Sequence, residues 1–253
     1  MIGFCISAIK IIFLLGFLII IHESGHFIVA KICKVKVNEF AIGFGPVIWK
    51  KQGLETKYAL RLIPLGGFVS MEGEEEASDA EGSFSKASIP KRMAIVIAGA
   101  TVNIVFGLIA YFILMTSIAK PIDNTFASHI YFGLSQTAEF CQSIVESLKS
   151  LIVDGLKTDQ MMGIVGISDV VVSTNGIKEF IYILSLVSVS LGVTNLLPIP
   201  ALDGGKLLLL IIEAIRRKPL KQETEASITL LGFSLLIVLS IYVTYNDILR
   251  IFW

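Results

Sequence analysis

Four stretches of this chain are long and apolar enough to cross a bilayer, and nothing else limits its fold as strongly. A membrane helix needs about 20 mainly apolar residues. The stretches run over residues 6–30, 93–115, 180–197 and 227–245. The third stops at Pro198 and Pro200, and proline cannot continue a regular helix. Composition points the same way. Of the 253 residues, 54% are hydrophobic and 17% are charged, where soluble domains average about 45–50% and about 25%. The expected fold class is an α-helical integral membrane protein with about four transmembrane helices. The apolar N-terminus reads as a span and not as a cleavable signal peptide, because no small-residue cleavage site precedes its histidines.

Basic residues orient the spans. Residues 31–92 hold ten Lys or Arg, and Arg216, Arg217, Lys218 and Lys221 follow the third span. Residues 116–179 hold only Lys120, Lys149, Lys157 and Lys178. Both termini are therefore expected outside, with the first and third connections in the cytoplasm. The first connection alternates β-formers with Gly and Pro over 36–71, which predicts a small membrane-associated β region between spans one and two. "EGEEEASDAEGS" (72–83) reads as a mobile, solvated acidic loop. Residues 124–157 space their apolar positions as an amphipathic helix does, which fits an outer membrane surface or packing on the bundle. "GGKLLLLIIEAI", after residue 203, is too short to cross alone and reads as a half-helix. The balanced charge gives no reason to expect nucleic acid as a partner. Cys5, Cys33 and Cys141 form neither a disulfide framework nor a CxxC zinc site.

Inside the first span stands "HESGHF", His22 to Phe27. Ionisable groups in hydrocarbon cost several kcal/mol, roughly 2.5–3.5 on insertion scales, so something must compensate. His22 and His26 are four apart and share one helical face. Glu23 sits beside the first. HExxH on a helix is a zinc-hydrolase arrangement, with two histidine ligands and a glutamate general base. A catalytic zinc also needs a third protein ligand and an open position. Asp203, in "NLLPIPALDGGK" (195–206), is the best candidate, because the prolines before it and glycines after it let the backbone turn the carboxylate inward. His129 is the rival, placed across the bilayer by the charge count. Asp159, Asp169 and Asp247 read as solvated. Asn103 in span two and Asn195 before the proline break suit either a substrate or oxyanion contact or helix–helix hydrogen bonding.

HESGHF in a first span with NLLPIPALDGG in a later one resembles the site-2 protease family of intramembrane zinc metalloproteases, over most of the chain. "IGFGP" and "RLIPLGGFV" resemble the family's membrane-associated β-loop region, and "SFSKASIPKRMAIVIAGATVN" resembles its approach to the second span. The likeness is closest to the bacterial four-span group. It implies His22, His26 and Asp203 as zinc ligands, Glu23 as base, and Asn103 and Asn195 as substrate or transition-state contacts. Gly66 and Gly67 of the β loop are candidate substrate contacts as well. The chain departs from the family at Ala100 and in "GIVGI" (163–167), where a proline is usual. It also departs between spans two and three, where the connection is too short for the roughly 90 residues of a small compact PDZ domain. A single domain without PDZ is expected.

The resulting expectation is a zinc-dependent endopeptidase of the bacterial cytoplasmic membrane. It would cut single-span membrane proteins, either anchored regulators or signal-peptide remnants, with its site toward the cytoplasm. An exposed strand edge in the β-forming segments of 36–70 would pair with unwound substrate, and strand-breaking changes in 64–70 would lower cleavage. A metal-ion transporter or a non-proteolytic zinc scaffold are the alternatives.

Overall fold

The structure is a computed structural model that describes residues 2–74, 76, 78–120, 123, 125–155 and 162–252. Asp159 lies outside them. The elements in chain order are α1 (Ile2–Ile32), β1 (Val37–Gln52), β2 (Lys57–Met71), α2 (Ile89–Ile118), α3 (Phe126–Val153), α4 (Ile164–Ser173), α5 (Ile177–Asn195), α6 (Asp203–Arg216) and α7 (Gln222–Phe252). Four helices carry spans: Ile6–Ile32, Ile89–Ile118, Ile177–Asn195 and Gln222–Arg250. They expose large apolar side chains such as Ile9, Ile109 and Leu231, as lipid-facing helices do. The protein is a multi-pass membrane protein with a small antiparallel sheet between its first two spans.

The chain packs as two compact units. The first comprises Met1–Ile104 with Ser190–Leu235, and the second Val105–Val189 with Leu236–Trp253. In the first unit α1 stops after Ile32 because Lys34 turns left-handed, at φ 62°. Lys34 N–H then donates to Lys31 O and Val35 N–H to Ala30 O, which closes the helix with the paired bonds of a Schellman motif. The sheet begins three residues later. Residues 40–42 of β1 pair on both sides, with 69–67 of β2 and with Tyr58, Ala59 and Leu60. Positive φ at Gly43, Gly45 and Gly66 lets both strands bend enough to do this. Residues 67–71 have register partners on one side only, so they form an edge. Ala30, Val35, Val37, Met71, Phe84, Ile95, Val96 and Leu210 make the unit's buried core. That core fixes the edge strand against α1, α2 and α6.

The loop over 72–83 is held more tightly than its acidic composition suggests. Glu72 accepts from Asn38 Nδ2 at 3.0 Å and from Ser78 Oγ at 2.6 Å. Glu74 pairs with Lys206 of α6. These two carboxylates face donors, which a composition-based reading as solvated linker does not anticipate.

In the second unit, Tyr111, Leu114 and Met115 pack with Phe140 and Ile181. Thr125 and Ser128 cap the start of α3 reciprocally. Asp247 is 1% exposed, which corrects its reading as solvated. Its Oδ2 accepts from the backbone N–H of Gly163 at 2.9 Å and of Gly166 at 2.8 Å. These donors open α4, whose N-terminal dipole favours an anion. A Cβ at either glycine would come within 2.9 Å of the carboxylate, so "GIVGI" leaves the room this contact requires.

Candidate metal centre

Two helices of the first unit deliver the three side chains. His22 and His26 stand one turn apart on α1. Asp203 opens α6, after a break at Pro198 and Pro200 in which Ala201 turns left-handed, at φ 75°. The side chains remain 13%, 12% and 21% exposed, so water reaches them sparingly.

His22 Nε2 and His26 Nε2 are 3.2 Å apart. Asp203 Oδ2 lies 3.2 Å from the first and 3.4 Å from the second. His26 Nδ1 is 2.8 Å from the carbonyl oxygen of Ile95, an acceptor, so Nδ1 carries the proton and Nε2 presents a lone pair to the centre. The Asn103 amide, fully buried on α2, lies 3.5 Å from His22 Nδ1. Its two halves interchange by a flip, and the carbonyl half would fix the other ring in the same sense. Asp203 Oδ2 is buried without a well-aligned hydrogen bond. With both rings neutral, three acceptor atoms converge on one point, an arrangement suited to a metal cation.

The spacing fits zinc. Four ligands at about 2.0–2.1 Å in a tetrahedron stand roughly 3.4 Å from each other, close to the three separations observed. All three ligand atoms fall within 4.8 Å of one another, and they are the only such His, Cys, Asp or Glu group among the described residues. His129 belongs to the second unit and is not in it.

Two glycines make room for the rings. A Cβ at Gly99 of α2 would stand 2.8 Å from His26 Cδ2, and a Cβ at Gly25 of α1 would stand 2.6 Å from Ala98 O. The helices cross at hydrogen-sized side chains, as small residues permit in membranes.

Glu23 lines a cavity of about 200 Å³ together with His22, His26, Asp203, Gly67, Phe68, Val69, Glu74 and Lys206. Gly67 brings the edge strand close, since a Cβ there would lie 3.1 Å from Glu23 Cγ. Gly66 takes φ +115° and turns the chain into that strand. Asn195 ends α5 in the same unit, half-buried. The residues singled out in the sequence thus include a compact set of His22, Glu23, His26, Asn103, Asp203 and Gly67. No residue pattern marks the Ile95 carbonyl, a backbone group, or the Glu74–Lys206 pair. The one available signal for the pair was a lysine at i+3 from the candidate ligand in "DGGK".

Comparison with known proteins agrees with this chemistry. The family model described as peptidase family M50 matches residues 10–239. A Clostridium acetobutylicum protein named "putative zinc metalloprotease" is 28% identical over 320 aligned positions, covering 92% of this chain and 94% of the relative. That alignment is longer than the chain, so the relative carries residues with no counterpart here. Zinc metalloprotease RasP of Bacillus licheniformis is 42% identical over 135 residues, 53% of this chain and 32% of that protein. A relative from Streptococcus pyogenes is 42% identical over 138 residues, 54% of this chain and 33% of its own length. In both of these the chain matches about a third of the relative.

Proposed function

The chain belongs to peptidase family M50 and is a zinc metalloprotease, and from that premise we propose that it cuts single-span membrane proteins within or beside their transmembrane segments. The observation that carries this reading is the convergence of His22, His26 and Asp203 on one point, with Glu23 on the wall of the same cavity.

His22, His26 and Asp203 would hold the zinc. Zinc there supplies a Lewis acid that acidifies water and polarises a carbonyl. Glu23 accepts the proton of the attacking water and delivers it to the leaving amine as the peptide C–N bond breaks. One water is consumed, and a carboxylate and an amine leave. The Ile95 carbonyl and Asn103 hold the two imidazoles in register. Asn103 and Asn195 contact the substrate or the developing oxyanion.

A substrate helix bonds its own carbonyls and must unwind first. The edge at 67–71 receives it as an added strand, with backbone bonds supplying affinity and little sequence demand. Gly66 and Gly67 let that strand lie against Glu23. Proline or strand-breaking changes in 64–70 that leave zinc and folding intact should lower cleavage.

The protein works in the cytoplasmic membrane of a bacterium, with both termini outside. His22 lies twelve residues past Lys10, or about 18 Å into the span at 1.5 Å per residue. Water then enters from the cytoplasmic side, and the product is released there. Anchored regulators and signal-peptide remnants are the substrate classes of this shape.

The test is cleavage of a panel of single-span reporters by the purified chain beside Glu23→Gln, with zinc quantified in both. Cutting by the first and zinc without cutting in the second support the reading. Cleavage that survives Glu23→Gln, or a folded chain without zinc, would overturn it.

A further inference from the structure

A larger cavity of about 880 Å³ adjoins the metal centre. Two residues line both cavities, Glu74 and Lys206, and they are paired to each other. Lys206 Nζ donates to Glu74 Oε1 at 2.5 Å, with side chains 29% and 20% exposed. Each end of the pair is anchored to something the reaction uses. Glu74 stands three residues past the edge strand, and its other oxygen lies 3.4 Å from the backbone N of Met71, the last residue of that strand. Lys206 stands one turn after Asp203 on α6, with its ammonium 5.1 Å from the Phe84 ring centroid. The ion pair is thus the direct polar tie between the strand expected to take substrate and the helix that carries the third ligand.

A second ion pair on the same helix serves as a comparison. Arg92 of α2 grips Glu213 through two hydrogen bonds, of 3.0 and 2.5 Å, and both side chains are more buried than those of the Glu74 pair. Arg92 and Glu213 line the larger cavity but not the metal centre. The Arg92–Glu213 pair thus ties α6 to α2 away from the metal centre. What Glu74–Lys206 adds is the spacing between the edge strand and Asp203.

We propose that Glu74 and Lys206 are positioning residues that set the gap between the edge strand and the metal ligand, and hence the width of the slot in which the scissile peptide lies. The inference rests on the protease reading above and concerns how that site holds substrate. If the strand drifts from α6, an added peptide strand no longer lies within reach of both the edge and the centre. Substrate binding then weakens, while Glu23 and the ligands keep their own geometry.

The experiment measures binding of a fluorescent single-span reporter to the full-length Glu23→Gln chain in detergent, with zinc content and melting temperature recorded for each variant. Adding Lys206→Met should weaken binding about tenfold, the scale of one charge-assisted hydrogen bond, with zinc retained. Glu74→Lys alone should do the same or worse, and Glu74→Lys with Lys206→Glu should recover most of the loss. Arg92→Met should lower the melting temperature and leave the affinity of the folded protein alone. In the active background Lys206→Met should raise KM and leave kcat within about twofold, whereas loss of folded enzyme would lower apparent kcat at constant KM. Unchanged reporter binding in Lys206→Met, or a double reversal no better than either single variant, overturns the proposal. Failure of the protease reading would look different, as reporter binding that never leads to a cut in the wild type.

Discussion

Asp203 and Asp247 are carboxylates withdrawn from water, one in each unit, and they are kept there by opposite means. Asp247 has its compensation built in, because two backbone N–H groups at the start of α4 donate to one oxygen. Asp203 faces two imidazole nitrogens, and the Ile95 carbonyl directs the lone pair of one of them inward. The first arrangement satisfies Oδ2 when the chain has folded. The second is complete only with a cation. A buried acid whose neighbours are donors is a clasp, and one whose neighbours are acceptors is suited to a cation. The residue type is the same in both cases, so only the sign of the surroundings separates them.

The largest expected effect tests that distinction directly. Asp203→Ala should lower zinc affinity by more than about a hundredfold, since loss of even an outer-shell partner costs 10–100-fold, and cleavage should vanish with it. Metal analysis of the purified variant reads the first loss and reporter cleavage the second. Added zinc should raise the melting temperature of the wild type and not of this variant, because a ligand stabilises only the state that binds it. Asp247→Ala should do the reverse. A buried and a half-buried N–H group lose their acceptor, which destabilises by about 2–4 kcal/mol, yet zinc stoichiometry per folded molecule should hold. Thermal or denaturant melts with paired zinc assays decide this. Loss of zinc in Asp247→Ala would erase the contrast.

A smaller effect comes from crowding. Gly99→Ala puts a methyl group against the His26 ring and should weaken zinc binding through strain of about 1–3 kcal/mol, as overpacked cores do. Competition with a zinc chelator measures it. The smallest concerns a carboxylate of neither kind. Burial raises the pKa of Glu39, but Lys57 and Arg61 donate to it and hold it below the usual carboxylate range. Its stabilising contribution is therefore fully present above the ordinary glutamate value of about 4.3 and is lost as pH falls through the lowered folded value. Glu39→Gln should flatten that acid limb of the stability curve by no more than about 1 kcal/mol, the scale of partly exposed ion pairs.

The residues that were legible in the sequence share one property. His22, Glu23, His26, Asn103 and Asp203 are polar groups set in or against apolar runs, where each needs a reason to exist. The four spans were legible because hydrocarbon imposes length and composition on a helix. Asp247 was not, although it too lies in an apolar run. Its partners are main-chain donors of glycines more than eighty residues earlier, and backbone groups leave no mark on a sequence. The acidic loop misled for a related reason. Six acids in twelve residues look like a solvated linker, but Glu72 and Glu74 are fixed by Asn38, Ser78 and Lys206, and those pairings depend on the sheet having already formed. Helix α4 also left little trace, since ten residues carry too few turns to set a period.

The crossing of α1 and α2 has a consequence for how this protein can vary. Positions 25 and 99 each meet an obstacle that cannot step aside: the backbone of Ala98 for one, and a ring already fixed by Ile95 for the other. A library randomised at both positions and selected for proteolysis should return glycine at each, with no pairwise solution in which one grows and the other compensates. Two residues without side chains would then behave in selection as members of the metal site, although neither offers it an atom.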